Sequence, residues 1–211
     1  MLEAAQTTQQ ETTQPVKPAS LPDSQRLRLA VRNHGLALLA ALTLWAAADA
    51  WASTSGLSLA TGLSMLNAFA AMTIIATIFH EWGHFAGARL AKSYSPMVTN
   101  PTGGFIFGFN FAKNTRRQFL SMSIGGPVGN WLLVALVLLL VPLDNAGRAM
   151  LLAVAVARAI SVVMFELPII LRVMRGGEPE AELNAGQANG SGDRGQVVGY
   201  AAGLLVWILA I

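Results

Sequence analysis

The 211-residue sequence contains no cysteine and very few charged side chains. Without thiols the chain can form neither disulfide bonds nor thiolate metal sites, so a metal ion would need nitrogen and oxygen ligands. Charged residues make up only 12% of the sequence, against about 25% in soluble domains. The mean hydropathy is +0.51. These values exclude an ordinary soluble domain and predict an all-α polytopic membrane protein embedded in a lipid bilayer.

Hydropathy divides the chain into a polar tail and a membrane domain. Residues 1–25 are rich in Thr, Gln and Pro and nearly lack large apolar side chains, which predicts a disordered tail. Residues 26–211 form the predicted transmembrane domain. Its apolar runs predict about five spanning helices, at residues 36–52, 57–91, 119–141, 149–173 and 195–211. We expect Gly125-Gly126-Pro127 to interrupt the first turns of the third helix.

The segment between the second and third helices does not have the pattern of a spanning helix. Prolines and glycines break residues 93–114, and the stretch from Phe105 to Phe111 combines aromatic residues with glycine. This pattern predicts a short membrane-associated β-hairpin or loop. A second polar segment, residues 172–192, is expected to be a solvated loop.

Basic residues lie almost entirely at one end of the predicted helices. Of the 14 Lys and Arg residues, Arg148 is at the opposite end and Arg158 is inside the fourth helix. The other twelve lie on the same side as the amino terminus. The excess of positive charge on cytoplasmic loops predicts a cytoplasmic amino terminus in a cell inner membrane. These juxtamembrane residues also account for the net charge of +3, so no nucleic-acid partner is implied.

One motif near the end of the second apolar run has the residue types of a metal site. In His80-Glu81-Trp82-Gly83-His84 the two histidines are four residues apart, so a helix places both on one face, where they can bind one ion. Glu81 lies beside that face, where its carboxylate can accept a proton from water. Two ordinary helical histidines are the alternative, but ionisable groups are costly inside a membrane unless they pair or bind something.

The residue pattern leaves the third metal ligand open. Catalytic zinc sites usually have three protein ligands. On the same side of the membrane as the histidines, the candidates include His34, Glu166 and Asp193, together with the glutamates at 178, 180 and 182. Glu166 could instead neutralise Arg158, and Asp193 could cap a helix. Asp49, at the opposite end, is expected to be solvated.

Two segments resemble the site-2 protease family of intramembrane zinc metalloproteases. Phe79 to Phe85, followed by Ala88-Arg89, resembles the family's zinc-binding helix. Ser123 to Leu132 contains Gly-Pro-x-x-Asn, the family's second motif. The resemblance covers residues 68 to 141 and implies a protease with one zinc ion per chain. Its substrate would be a transmembrane protein, cut in or near a transmembrane segment.

The resemblance also implies roles for individual residues. His80 and His84 would bind zinc, Glu81 would be the catalytic base, and Asn130 would contact the substrate backbone or the developing oxyanion. In the family an Asp that soon follows an Asn-x-x-Pro segment is the third ligand. Here Phe165-Glu166-Leu167-Pro168 has no Asp nearby, and the first later one is Asp193. Its position at the start of the last span makes Asp193 the preferred third ligand, with Glu166 second.

Two other functions fit parts of the pattern. The displaced Asp is compatible with a catalytically inactive relative that binds or escorts membrane proteins. Histidines that line an ion path would indicate a transporter subunit, although this function does not explain the Gly-Pro-x-x-Asn motif.

Overall fold

A computed structural model describes residues 21–99 and 106–211 of the chain. It contains six α-helices: α1 (Asp23–Ser55), α2 (Ser58–Leu90), α3 (Arg116–Leu140), α4 (Ala146–Met174), α5 (Pro179–Ala188) and α6 (Ser191–Ala210). A 3₁₀ turn, Phe111–Lys113, precedes α3. Most of the predicted tail, residues 1–20, lies outside the described residues, as does Phe105.

Helices α1 to α4 are each long and apolar enough to cross a bilayer. Their outer faces carry large apolar side chains, such as Leu90 and Leu139, which are 83% and 79% exposed, whereas Ala68 and Ala76 inside are fully buried. Small residues inside and large apolar residues outside are what a helical bundle in lipid requires, because small side chains let helices approach closely. The chain is therefore an all-α membrane protein, as its composition predicts.

Helix α1 begins well before its predicted start at residue 36. Its first turns are polar, but Leu27 and Ala30 pack in one cluster with Phe85 of α2 and with Met97 and Ile106, which follow α2. Tertiary packing therefore makes this segment helical although its hydropathy is low.

Helix α3 is continuous from Arg116 to Leu140, so the predicted interruption at Gly125-Gly126-Pro127 is wrong. Its amino terminus is fixed by a capping box between Thr115 and Gln118. A proline removes one helical hydrogen bond, and the ladder on either side of Pro127 is preserved.

The polar segment after α4 is not simply a loop, because it contains α5. Arg172 near the end of α4 pairs with Glu182 of α5, and Arg116 donates a hydrogen bond to the carbonyl oxygen of Gly176. These contacts hold α5 against the ends of α3 and α4.

Asp49 is buried, with 4% of its surface exposed, so the expectation that it is solvated is wrong. Arg148 Nε donates to its carboxylate at 2.9 Å, and Ser64 and Asn145 donate at 3.3 and 3.1 Å. This cluster neutralises the acid and joins α1, α2 and the start of α4. It lies near the opposite end of α2 from the histidine motif.

The aromatic segment pairs with the chain that follows α2. Met97 and Phe107 form an isolated antiparallel bridge, flanked by backbone hydrogen bonds from Val98 to Ile106 and from Gly108 to Pro96. No sheet forms within the described ranges, and residues 100–105, which would contain the turn of the predicted hairpin, lie outside them.

Candidate metal centre

Backbone contact between α2 and α3 positions the histidine motif. A Cβ atom on Gly83 would lie 2.2 Å from the carbonyl oxygen of Gly125, and one on Gly87 would lie 2.2 Å from that of Ser121. Both glycines are therefore required for the close approach of the two helices. His80 and His84, on the same stretch of α2, are held against α3 as a result.

Three side chains from two helices converge on one point. His80 and His84 of α2 meet Glu166 of α4. The two Nε2 atoms are 3.0 Å apart, and Oε1 of Glu166 is 3.3 Å from Nε2 of His80 and 3.2 Å from that of His84. All three side chains are largely buried, with 13–16% of their surface exposed.

The dimensions of this triangle fit a tetrahedral zinc ion. Ligand bonds of 2.0 to 2.1 Å with tetrahedral angles place ligand atoms about 3.3 Å apart, and the three edges here are 3.0, 3.2 and 3.3 Å. Two histidines and one carboxylate leave a fourth position for water, as catalytic zinc sites require.

The other ring nitrogen of His84 fixes how it can bind a metal. Its Nδ1 lies 2.8 Å from the carbonyl oxygen of Met122, which can only accept a hydrogen bond, so Nδ1 carries the proton. In a neutral imidazole Nε2 then has a free lone pair, directed at Glu166. A backbone acceptor for the distal nitrogen is typical of metal-binding histidine.

Asn130 has the same relation to the other histidine. Its amide Nδ2 lies 3.3 Å from Nδ1 of His80, while its buried Oδ1 has no hydrogen-bond partner among the described residues. Exchanging the two amide atoms, which have nearly the same shape, places Oδ1 next to His80, so that His80 Nδ1–H can donate to it. In this arrangement Nε2 of His80 is free for a metal, and Asn130 would orient the imidazole that binds it.

The role of Asn130 can be tested by two substitutions. We expect Asn130→Leu to weaken zinc binding by about 10- to 100-fold, the usual effect of losing the partner of a metal-bound histidine. Asn130→Asp keeps an oxygen acceptor and should retain most of the affinity, measured by competition with a chelator. Equal affinities of the Leu variant and the wild type would contradict the contact with His80.

Two further observations favour a cation at this point. A Cβ atom on Gly126 would lie 2.4 Å from Nε2 of His84 and 2.7 Å from Cε1 of His80, so only glycine leaves room for both rings here. The second carboxylate oxygen of Glu166, Oε2, is buried without a hydrogen-bond partner among the described residues. A bound cation would compensate this buried charge.

Glu81 lies beside the group formed by His80, His84 and Glu166 and does not join it. It is buried, with 8% of its surface exposed, and its side chain faces the same cavity as His80, His84 and Glu166. No hydrogen bond ties its carboxylate to another described side chain. Its position is the one that the sequence predicts for a proton acceptor.

The cavity next to the three ligand residues has a volume of about 540 Å³. It lies between α2, α3, α4 and the start of α6, and its walls are mostly apolar. The segment before α3 contributes Phe107, Phe109 and Phe111, and α5 contributes Leu183 and Gln187. This volume is in the range of small-ligand sites.

Asp193, the preferred third ligand in the sequence analysis, is not part of the group. It is exposed in the first turn of α6, and it is absent from the cavity lining although Gly192 and Gln196 on either side contribute to it. A carboxylate in a first turn interacts favourably with the helix dipole. The acid that the structure brings to both imidazoles is Glu166, the second candidate. In the sequence, Glu166 stands out as an acidic residue inside an apolar span. Nothing in the sequence indicates that the carbonyl oxygen of Met122 contacts His84.

No family model, no curated protein and no solved structure matches this chain.

Proposed function

We propose that the protein is an intramembrane zinc metalloprotease that hydrolyses a peptide bond in or near a transmembrane segment of a membrane protein. The observation that carries this proposal is the convergence of His80, His84 and Glu166 beside Glu81, in a cavity within an apolar helical bundle. Histidine, histidine and glutamate are the ligands of several soluble zinc peptidases.

The residues of the site would have three roles: metal binding, proton transfer and orientation of the imidazoles. His80, His84 and Glu166 would hold the zinc ion, which when bound supplies a Lewis acid that activates water and polarises the scissile carbonyl. Glu81 would accept the proton of the attacking water and transfer it to the leaving amine. Its freedom from side-chain hydrogen bonds suits a group that must take up and release a proton. Asn130 and the carbonyl of Met122 would hold the two imidazoles in the metal-binding tautomer.

The extended segment offers a place for the substrate backbone. A peptide bond inside a helix is shielded by its own hydrogen bonds, so a substrate must unwind before hydrolysis. Backbone groups of Phe107 and Phe109 point away from the paired strand and form no hydrogen bond with another described residue. Both residues line the cavity, so an extended substrate could add as a strand at this edge.

The opposite edge of the same pairing is closed. The backbone N–H of Met97 donates to Asp23, and its carbonyl oxygen accepts from Arg26. Both partners are in the first turns of α1. Strand addition is therefore possible only at the edge formed by the backbone of Phe107 and Phe109.

The proposed topology has five spans. Helix α6 has 20 residues, about 30 Å at 1.5 Å per residue, which matches the hydrocarbon thickness of a bilayer. Glycines 195, 199 and 203 pack it against the backbone of α4. With the amino terminus in the cytoplasm, as the distribution of Lys and Arg predicts, the metal ligands lie in the cytoplasmic half of the inner membrane.

Cleavage by the wild type and by Glu81→Gln tests the proposal. The variant keeps the three ligands and the shape of residue 81, so we expect normal zinc content and a loss of about 100-fold or more in cleavage of a tagged transmembrane substrate. Glu180→Gln, an exposed change of the same type, is the matched control and should cleave normally.

Two other outcomes would contradict the proposed hydrolytic mechanism. Equal cleavage by the wild type and Glu81→Gln would refute the proposed mechanism. Zinc bound at full stoichiometry without cleavage of any membrane protein would instead favour a relative that binds membrane proteins without hydrolysing them.

A further inference from the structure

Arg158 is a cation inside the apolar helical bundle and has no counter-charge among the described residues. It lies on α4 between Ala157 and Ala159, which are 2% and 0% exposed. Its Nε is buried and has no hydrogen-bond partner among the described residues. The pairing with Glu166 that the sequence allows does not form: Oε1 of Glu166 contacts the two histidines, and Oε2 has no hydrogen-bond partner among the described residues.

No other described residue takes the place of Glu166. No carboxylate in the described part of the chain forms an ion pair with Arg158. Thr77 and Ser161 line the same cavity, and their hydroxyls donate to carbonyl oxygens of their own helices and form no hydrogen bond with Arg158. An unpaired guanidinium at this depth is unfavourable, and such groups in membrane proteins commonly mark a functional site.

Arg158 lines the same cavity as the metal-binding group. The cavity extends along α2 from His84 to Thr77 and along α4 from Glu166 to Arg158. Arg158 precedes Glu166 by two helical turns, about 12 Å along the axis at 1.5 Å per residue. An extended peptide rises about 3.3 Å per residue, so this distance corresponds to roughly three to four substrate residues.

We propose that Arg158 is a specificity residue that binds a carboxylate of the substrate roughly three to four residues from the cleaved bond. This inference rests on the proposed function. The carboxylate belongs either to an Asp or Glu side chain within the substrate or to its carboxyl terminus. A planar guanidinium with free donors binds a carboxylate through two parallel hydrogen bonds, and an apolar cavity strengthens that contact.

Binding can be measured without cleavage by using the zinc-loaded Glu81→Gln protein. The probes are fluorescent leucine–alanine transmembrane peptides with a central Gly-Ser pair and one Glu, stepped through about six positions on either side. Each has a Gln counterpart, and a second set of peptides ends three to four residues after the Gly-Ser pair with a free or an amidated carboxyl terminus. At the matched position we expect the Glu peptide to bind about 10- to 100-fold more tightly than the Gln peptide. A preference for the free over the amidated terminus would identify the carboxyl terminus as the source.

Variants of Arg158 identify the residue responsible. Arg158→Gln, combined with Glu81→Gln, should abolish the preference for Glu, and Arg158→Lys should retain part of it. Arg158→Glu should reverse the preference towards a Lys peptide. Arg175→Gln, an exposed arginine at the end of α4, is the matched control and should behave as the parent protein. Zinc content and the thermal unfolding midpoint in detergent establish that each variant is folded.

The outcomes separate this inference from the proposed function. The same Glu-to-Gln binding ratio in the parent protein and Arg158→Gln would overturn the inference, even if the wild type cleaves peptides. A ratio that depends on Arg158 would support it, even if no peptide is cleaved, in which case only the hydrolytic function would fail.

Discussion

Replacing Glu166 by alanine is expected to remove zinc from the protein and to abolish cleavage. Oε1 of Glu166 is within 3.3 Å of Nε2 of both His80 and His84, which makes it the third corner of the centre. Loss of a partner outside the ligand shell already weakens metal binding by about 10- to 100-fold, and loss of a ligand has a larger effect. We therefore expect the zinc affinity, measured by chelator competition, to fall by more than about 100-fold.

The matched control for this substitution is Asp193→Ala. Asp193 is exposed and lies outside the group of three, so its removal should leave the zinc affinity within about twofold of the wild type, within the scatter of surface substitutions. Zinc lost from Asp193→Ala but retained by Glu166→Ala would refute the centre described above and identify Asp193 as the third ligand.

The second substitution that we expect to abolish zinc binding is Gly126→Ala, which adds one methyl group to α3. In Gly126→Ala the new Cβ would lie 2.4 Å from Nε2 of His84 and 2.7 Å from Cε1 of His80. The rings could retreat with their helix only if the backbones of α2 and α3, which are in contact at Gly83 and Gly125, moved apart and lost this packing. We expect this variant to lose zinc and activity as completely as the Glu166 variant, measured by metal analysis after purification.

Helix content distinguishes a blocked site from an unfolded protein. Alanine is a better helix former than glycine by about 1 kcal/mol, so the circular dichroism of Gly126→Ala should remain that of a helical bundle. Gly62→Ala on α2 is the control, since no atom lies within 4 Å of its new Cβ. Normal zinc binding by Gly126→Ala would show that the imidazoles do not lie against this face of α3.

The apolar helices can be predicted closely from the sequence, because an apolar segment in lipid satisfies its own backbone hydrogen bonds only as a helix. The predicted spans 57–91, 119–141 and 149–173 correspond to α2, α3 and α4. The early start of α1 and the existence of α5 could not be predicted from hydropathy. Both segments are polar, and both depend on contacts with distant residues, Leu27 with the Met97 region and Glu182 with Arg172.

The candidate site was predictable where it depends on spacing within one helix. His80 and His84 are four residues apart on α2, so their shared face, with Glu81 beside it, follows from helical geometry alone. The third acid comes from another helix, and its choice depends on the rotation and depth of α4 relative to α2. The resemblance to the site-2 proteases favours Asp193, because it is the first Asp after the segment that resembles their Asn-x-x-Pro motif. The packing of α4 brings Glu166 to the histidines instead.

The glycine contacts arrange four helices in two pairs. Helices α2 and α3 touch through their backbones, and so do α4 and α6. His80 and His84 belong to the first pair and Glu166 to the second, so an ion bound by all three would link the two pairs. A movement that separated the pairs would pull the three side chains apart. A substrate that entered without such a movement would pass between α5 and the extended segment at residues 106–110, both of which line the cavity.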